Sequence, residues 1–203
     1  MSLVSRLAEK SWETPGASPA AGGSDRPPAA KVLLVLYFGV AAVLFGLVTS
    51  AYLMRMGMPG MAHGPMGGWR PLAEPPLLWG NTATLFLASL TWEAARISAR
   101  RGRSSGAWVL AAGLLGVIFL IGQLLLWREL AAAGHGLRGD PAAAFFYLIT
   151  ALHGVHVLGG LYFWARALLG LTDGSGLRVQ LTATYWHFLL FVWLVMLGLF
   201  VAT

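Results

Sequence analysis

Five stretches of this chain carry no charged side chain at all: residues 32–54, 75–92, 104–127, 141–165 and 179–203, which are 23, 18, 24, 25 and 25 residues long. A helix crosses the hydrocarbon of a bilayer in about 20 predominantly apolar residues, with a working range of about 17–25. The five runs hold more than half of the 203 residues, in a chain that is 57% hydrophobic and only 11% charged. Ordinary soluble domains carry roughly 25% charged residues, and disordered chains are poor in apolar side chains; both classes are excluded. Barrel strands are about 10 residues long and alternate in polarity, whereas these runs are continuous and rich in Leu, Ala, Val and Phe. Every backbone amide in lipid must be paired within its own segment. The expected fold is therefore all-α and polytopic, a bundle of five transmembrane helices over about 32–54, 76–96, 105–127, 141–166 and 179–202. The second run is the least apolar. Pro75 and Pro76 take its first positions, so its helix extends past Glu93 and sets that charge at the interface.

Residues 1–30, rich in Ala, Gly, Pro and Ser, read as a flexible cytoplasmic tail ahead of a transmembrane domain over 31–203. No apolar stretch precedes the first span, so that span itself serves as the membrane signal. A cytoplasmic N-terminus places 10 of the 14 Lys and Arg residues inside: Arg6, Lys10, Arg26, Lys31, Arg96, Arg100, Arg101, Arg103, Arg166 and Arg178. Arg55, Arg70, Arg128 and Arg138 fall outside, as does the C-terminus, in accord with the positive-inside rule. Asp140 before Pro141 has the form of an N-cap with proline at the first helical position. Thr172 to Gly176 form a turn signal before the last span. Small residues (Gly39, Ala42 and Gly46; Gly113 and Gly116; Gly154 and Gly159) are expected to let helices approach closely.

The chain has no cysteine, which excludes thiolate-held iron–sulfur clusters, covalently attached haem and thiolate copper centres. The net charge of +6 lies at helix ends rather than on a folded basic face, so nucleic acid is not an expected partner. All eight acidic residues (Glu9, Glu13, Asp25, Glu74, Glu93, Glu129, Asp140 and Asp173) lie in tails, loops or helix ends, which argues against transport driven by buried acids. Glu93 and Arg96, three apart on one helix, are expected to form an interfacial ion pair.

Three histidines fall inside spans. His153 and His156 share one face of the fourth helix near its middle, and His187 lies within the fifth. Imidazole in such positions ligates haem or metal, relays protons, or hydrogen-bonds between helices. Spacing leaves all three open, including a haem held between His153 and His187. The outer loop from Met54 to Met66 holds five of the seven methionines together with His63. Met56, Met58, Met61 and His63 there are soft donors suited to Cu(I), or simply pliable apolar side chains. Trp79, Trp92, Trp108 and Trp127 near span ends fit an interfacial aromatic belt.

The segment Phe145 to Val157, containing His153-Gly154-Val155-His156-Val157, resembles the His-Gly-X-His-Val helix of subunit III of haem–copper terminal oxidases. Tyr185-Trp186-His187-Phe188 with Val192-Trp193 is similar to that family's last helix. Gly80-Asn81-Thr82 through Ser89 resembles its Asn-Thr helix, and Phe119 through Gln123 its Phe-X-X-X-Gln helix. The resemblance covers roughly residues 31–203, in order, and five spans match the short bacterial form. It implies a non-catalytic subunit without redox centres, packed with catalytic subunit I and subunit II, which carry the haem and copper. Such a subunit stabilises the catalytic one and supports proton or oxygen access, with phospholipid bound at its surface. It also implies that Asn81, Gln123, His153, His156, Tyr185, Trp186, His187 and Trp193 serve packing, interface or lipid contact. Three carboxylates common in the family are replaced, by Val40 or a neighbour, by Leu126 and by Leu190. Their absence favours structural support over proton gathering. It also suits a divergent branch that includes subunit III-like proteins associated with nitric oxide reduction. An autonomous His-ligated haem protein is the reading from a different class.

Overall fold

A computed structural model describes residues 28–57, 75–136, 141–169 and 176–202. They form five helices: α1 Ala29–Met56, α2 Pro76–Arg100, α3 Gly106–Ala132, α4 Pro141–Leu169 and α5 Gly176–Ala202. Each outruns its expected span by one to several residues, because helices continue beyond the hydrocarbon that sets the apolar length. Asp140 and most of the Thr172–Gly176 turn lie outside the described residues; Pro141 and Gly176 open their helices. Four helices, α1, α3, α4 and α5, are long and apolar enough to cross a membrane. α2 falls short by composition, with Asn81, Ser89, Glu93 and Arg96 along it. The chain divides into two compact units at Leu36/Tyr37. The first contributes the opening turns of α1 among the described residues; the second contains everything from Tyr37 onward.

Within the second unit α2 packs on α3 and on α5, α3 on α4, and α4 on α5, which closes a four-helix ring. The buried residues of α2 (Leu78, Asn81, Leu85, Ala88, Ser89, Trp92 and Ala95) recur at three and four, the spacing of one helical face. Lipid offers no hydrophobic reward for joining helices, so the ring is held by fit and by polar contacts. Gly113 accommodates the Trp164 ring and Gly116 the Trp186 ring, each so closely that a Cβ would collide. These two glycines thus seat indoles, rather than bringing two backbones together. At Gly159 and Gly160 the neighbour is again a side chain, Tyr185, at 3.1 Å from where a Cβ would stand. Among the described residues, Gly39 and Gly46 of α1 meet nothing within 4 Å. Hydroxyls buried or facing lipid are quieted by their own helix: Thr82 donates to the Leu78 carbonyl at 2.8 Å, Thr91 to Leu87 at 2.7 Å and Thr150 to Phe146 at 2.7 Å. From Tyr37 on, α1 reaches the ring through aromatic side chains, Phe38 on Phe188 and Tyr52 edge-on to Phe145 and Phe200.

Candidate functional site

Three polar groupings tie the helices, and they contain most of the residues singled out by sequence. The first joins α2 to α5. His187 bonds Ser89 Oγ through Nδ1 at 2.5 Å and Glu93 Oε2 through Nε2 at 3.1 Å. A carboxylate only accepts, so Nε2–H donates to Glu93, and in the neutral ring Nδ1 accepts from the Ser89 hydroxyl. Glu93 Oε1 in turn accepts from Arg96 at 2.8 Å. The expected Glu93–Arg96 pair is present, but it is the outer end of a four-membered chain that runs inward to buried Ser89. Ser89 and Glu93 lie four apart and so face the same way. That spacing was the available signal; the partner on α5 required knowing how the two helices register.

The second grouping ties α1. Tyr185 donates to the His156 carbonyl at 2.8 Å, and its hydroxyl meets that of Tyr37 at 3.0 Å. Since the Tyr185 proton is committed to the carbonyl, Tyr37 is the donor of the second bond. The His156 ring bonds its own helix at Leu152 O, 2.7 Å away, and lies against Phe45 and Tyr37. Tyr37 and Phe45 carry no motif and were not singled out by sequence.

The third is a layer inside the ring. Trp193 Nε1 donates to Thr82 Oγ1 at 3.0 Å, and the Asn81 and Gln123 amides meet at 3.1 Å. Turned so that its nitrogen meets the Phe119 carbonyl at 3.1 Å, Asn81 also accepts from the Gln123 backbone N–H at 3.2 Å. Such amide orientations are assigned from the hydrogen-bond network. His153 is fully buried here, ringed by Phe45, Phe119 and Trp193 at centroid distances of 6.4, 5.8 and 5.2 Å. Trp186, over Gly116, stacks on Trp92 at 6.2 Å. Trp92 is completely buried, which corrects its placement in an interfacial belt; the half-exposed Trp79 and Trp108 suit that belt. Trp92 follows the inward stripe of α2, and position on the stripe outweighs nearness to a span end.

A haem shared by His153 and His187 finds no support in this arrangement. His187 has both ring nitrogens bonded to α2, while His153 is enclosed by the rings of Phe45, Phe119 and Trp193. Although His153 and His156 both touch Phe45, His156 turns toward α1 and holds its own backbone. Among the described residues no group of three or more His, Asp or Glu side chains is placed to hold a metal ion. Met56 ends α1, and Met58, Met61 and His63 lie outside the described residues. Of the positions where the resemblance implies a carboxylate in the family, the first falls at Val40 or a neighbour, with Val40 71% exposed on α1, while Leu126 is fully buried and Leu190 half-buried.

Comparison with known proteins accounts for this architecture. Cytochrome bo(3) ubiquinol oxidase subunit 3 of Pseudomonas aeruginosa is 30% identical over 167 residues, 78% of each chain. The probable cytochrome c oxidase subunit 3 of Mycobacterium leprae is 29% identical over 179 residues, 84% of this chain and 86% of its own. Cytochrome c oxidase subunit 3 of Corynebacterium diphtheriae is 29% identical over 188 residues, 87% of this chain and 88% of its own. The profile of the family described as cytochrome c oxidase subunit III matches residues 34–202, from the second turn of α1 to the last residue of α5. The chain belongs to the cytochrome c oxidase subunit III family.

Proposed function

We propose that this chain, subunit III of a haem–copper oxidase and a multi-pass membrane protein, supports the reduction of oxygen to water without taking part in the chemistry. Haem and copper reside in its partners, catalytic subunit I and subunit II, and proton translocation runs through them. The observation that carries this reading is the engagement of two of the three membrane histidines: His187 gives both nitrogens to α2, and His156 is bonded to its own helix, while His153 is enclosed by aromatic rings. Ring nitrogens so occupied serve helix structure and packing rather than iron. The apolar residues where the resemblance implies family carboxylates, Val40 or a neighbour, Leu126 and Leu190, support a stabilising role, with oxygen or proton access helped by bound phospholipid rather than by acidic side chains of this subunit. The charge distribution supports a cytoplasmic residue 1–30 tail, a membrane domain over 31–203 and an outer C-terminus. The relatives include both cytochrome c and ubiquinol oxidase subunits, so either donor suits the complex.

The test is a gentle-detergent pull-down of the tagged chain from its native membrane, with an optical spectrum and partner identification by mass. Co-purification with a multi-span haem–copper subunit and oxygen turnover is the expected result. A lone chain with its own haem spectrum overturns it, and turnover of nitric oxide in place of oxygen assigns the complex to the divergent branch. Removing the subunit is expected to leave initial oxygen reduction largely intact while shortening the lifetime of the enzyme during turnover. Immediate loss of all activity contradicts a supporting role.

A further inference from the structure

His153 poses a problem of hydrogen-bond accounting. It is 0% exposed, and neither ring nitrogen has a partner among the described residues. A neutral imidazole carries one donor and one acceptor, and buried polar groups in native proteins are almost always paired. His156, one turn on, solves the same problem by bonding the carbonyl four residues back. His153 does not. A second unpaired group stands nearby. Gln123 is 3% exposed; one end of its carboxamide meets Asn81, and the other has no partner among the described residues.

The contacts between α3 and α4 place these two residues at one level. Trp127 bonds Thr150 Oγ1 at 3.0 Å and the Tyr147 hydroxyl at its carbonyl at 3.1 Å, while Val109 accepts from Trp164 at 2.8 Å near the other end. The helices therefore run antiparallel. Four residues before Trp127, Gln123 stands across from the turn four residues after 147–150, which holds His153. Leu120 beside Gly154 and Phe119 edge-on to His153 fall in the same register. Both unpaired groups thus belong to the mid-bundle layer of Asn81, Thr82, Gln123, His153 and Trp193, with no direct bond between them.

We propose that this layer holds an internal water molecule that bridges the free end of the Gln123 amide and a ring nitrogen of His153. Water is the ligand the chemistry selects. It donates and accepts, so it pairs with either end of the amide and either nitrogen of a neutral ring, and buried waters typically serve otherwise unsatisfied groups. The aromatic walls of Phe45, Phe119 and Trp193 supply no competing acceptor at His153, and the Trp193 N–H is already committed to Thr82. The bridge continues the Asn81–Gln123 bond across the ring, linking α2, α3 and α4 in one polar chain.

The test uses the full chain within its purified oxidase complex in lipid bilayers. Water-edited solid-state NMR on nitrogen-labelled protein should show transfer from water to both the His153 ring and the Gln123 side-chain amide. A density map fine enough to show ordered water should contain a peak about 2.7–3.2 Å from both. In His153→Phe the peak should vanish and water transfer to the Gln123 amide should fall to background. Two results overturn the proposal: no water transfer to either side chain in the native complex, or a direct Gln123–His153 bond in the map. Both measurements on the native complex stand even where the variant fails to assemble.

Discussion

The ring helices and α1 are bound in different ways. Each of α2 to α5 buries seven to ten residues, whereas α1 buries three, Ala41, Phe45 and Tyr52. Inside the ring, indoles lie directly on glycines and polar side chains close into chains. α1 instead meets the ring with phenylalanine and tyrosine rings and with a hydroxyl tie through Tyr37. Among the described residues nothing packs within 4 Å of where a Cβ would stand on its small residues Gly39 and Gly46. Hydrophobicity does not distinguish the two regions, since α1 is among the helices apolar enough to span a membrane. What distinguishes them is steric fit and polar pairing, the terms that lipid leaves available for helix association.

Substitutions at matched positions test that contrast. Gly113→Val drives a Cβ into the Trp164 ring and should cost about 3 kcal/mol or abolish folding, as overpacking does; resistance of the purified chain to denaturing detergent reads the loss. Unchanged resistance would mean that the indole is free to leave its glycine seat. Next in size, His187→Leu separates Ser89 from Glu93 and should cost about 1–2 kcal/mol, with haem content per catalytic subunit unchanged. A selective loss of haem would return His187 to the ligands. Tyr185→Phe removes two hydroxyl bonds and should cost only about 1 kcal/mol, yet it should broaden spin-label distances between α1 and α4 while leaving those between α3 and α4 sharp. Equal broadening at both would erase the distinction between α1 and the ring. Smallest of all, Gly39→Leu should shift the stability of the isolated chain by less than about 0.5 kcal/mol. Failure of that stable variant to join its complex would mark this face of α1 as a seat for another subunit.

Much of this was legible in the sequence. Charge-free runs define five helices because lipid penalises charge along the whole of a span, and the Glu93–Arg96 pair follows from three-residue spacing alone. The entry of His187 into that pair depends on the register of α2 against α5, which no local pattern encodes. The same holds for His153 and His156. Helical periodicity puts them on roughly one face, but a 60° difference in bearing, about what three residues leave on an α-helix, sends one into the ring and the other toward α1. Trp92 misleads because the cue of a span end and the cue of an inward stripe coincide on it, and burial decides between them. Glycine is legible as a small residue but not as a seat for an indole. That depends on Trp164, 51 positions beyond Gly113, lying across from it.

The polarity of α2 has a consequence for how the protein is made. A segment carrying Asn81, Ser89, Glu93 and Arg96 gains little by leaving a translocation channel for lipid on its own. The strongly apolar α3 follows after Arg101 to Ser105 and packs closely against it, with Asn81 placed to meet Gln123. The two are therefore expected to partition as a hairpin, the later helix drawing the earlier one into the bilayer. A chain truncated between α2 and α3 is expected to insert α2 poorly, and one that includes α3 to insert both.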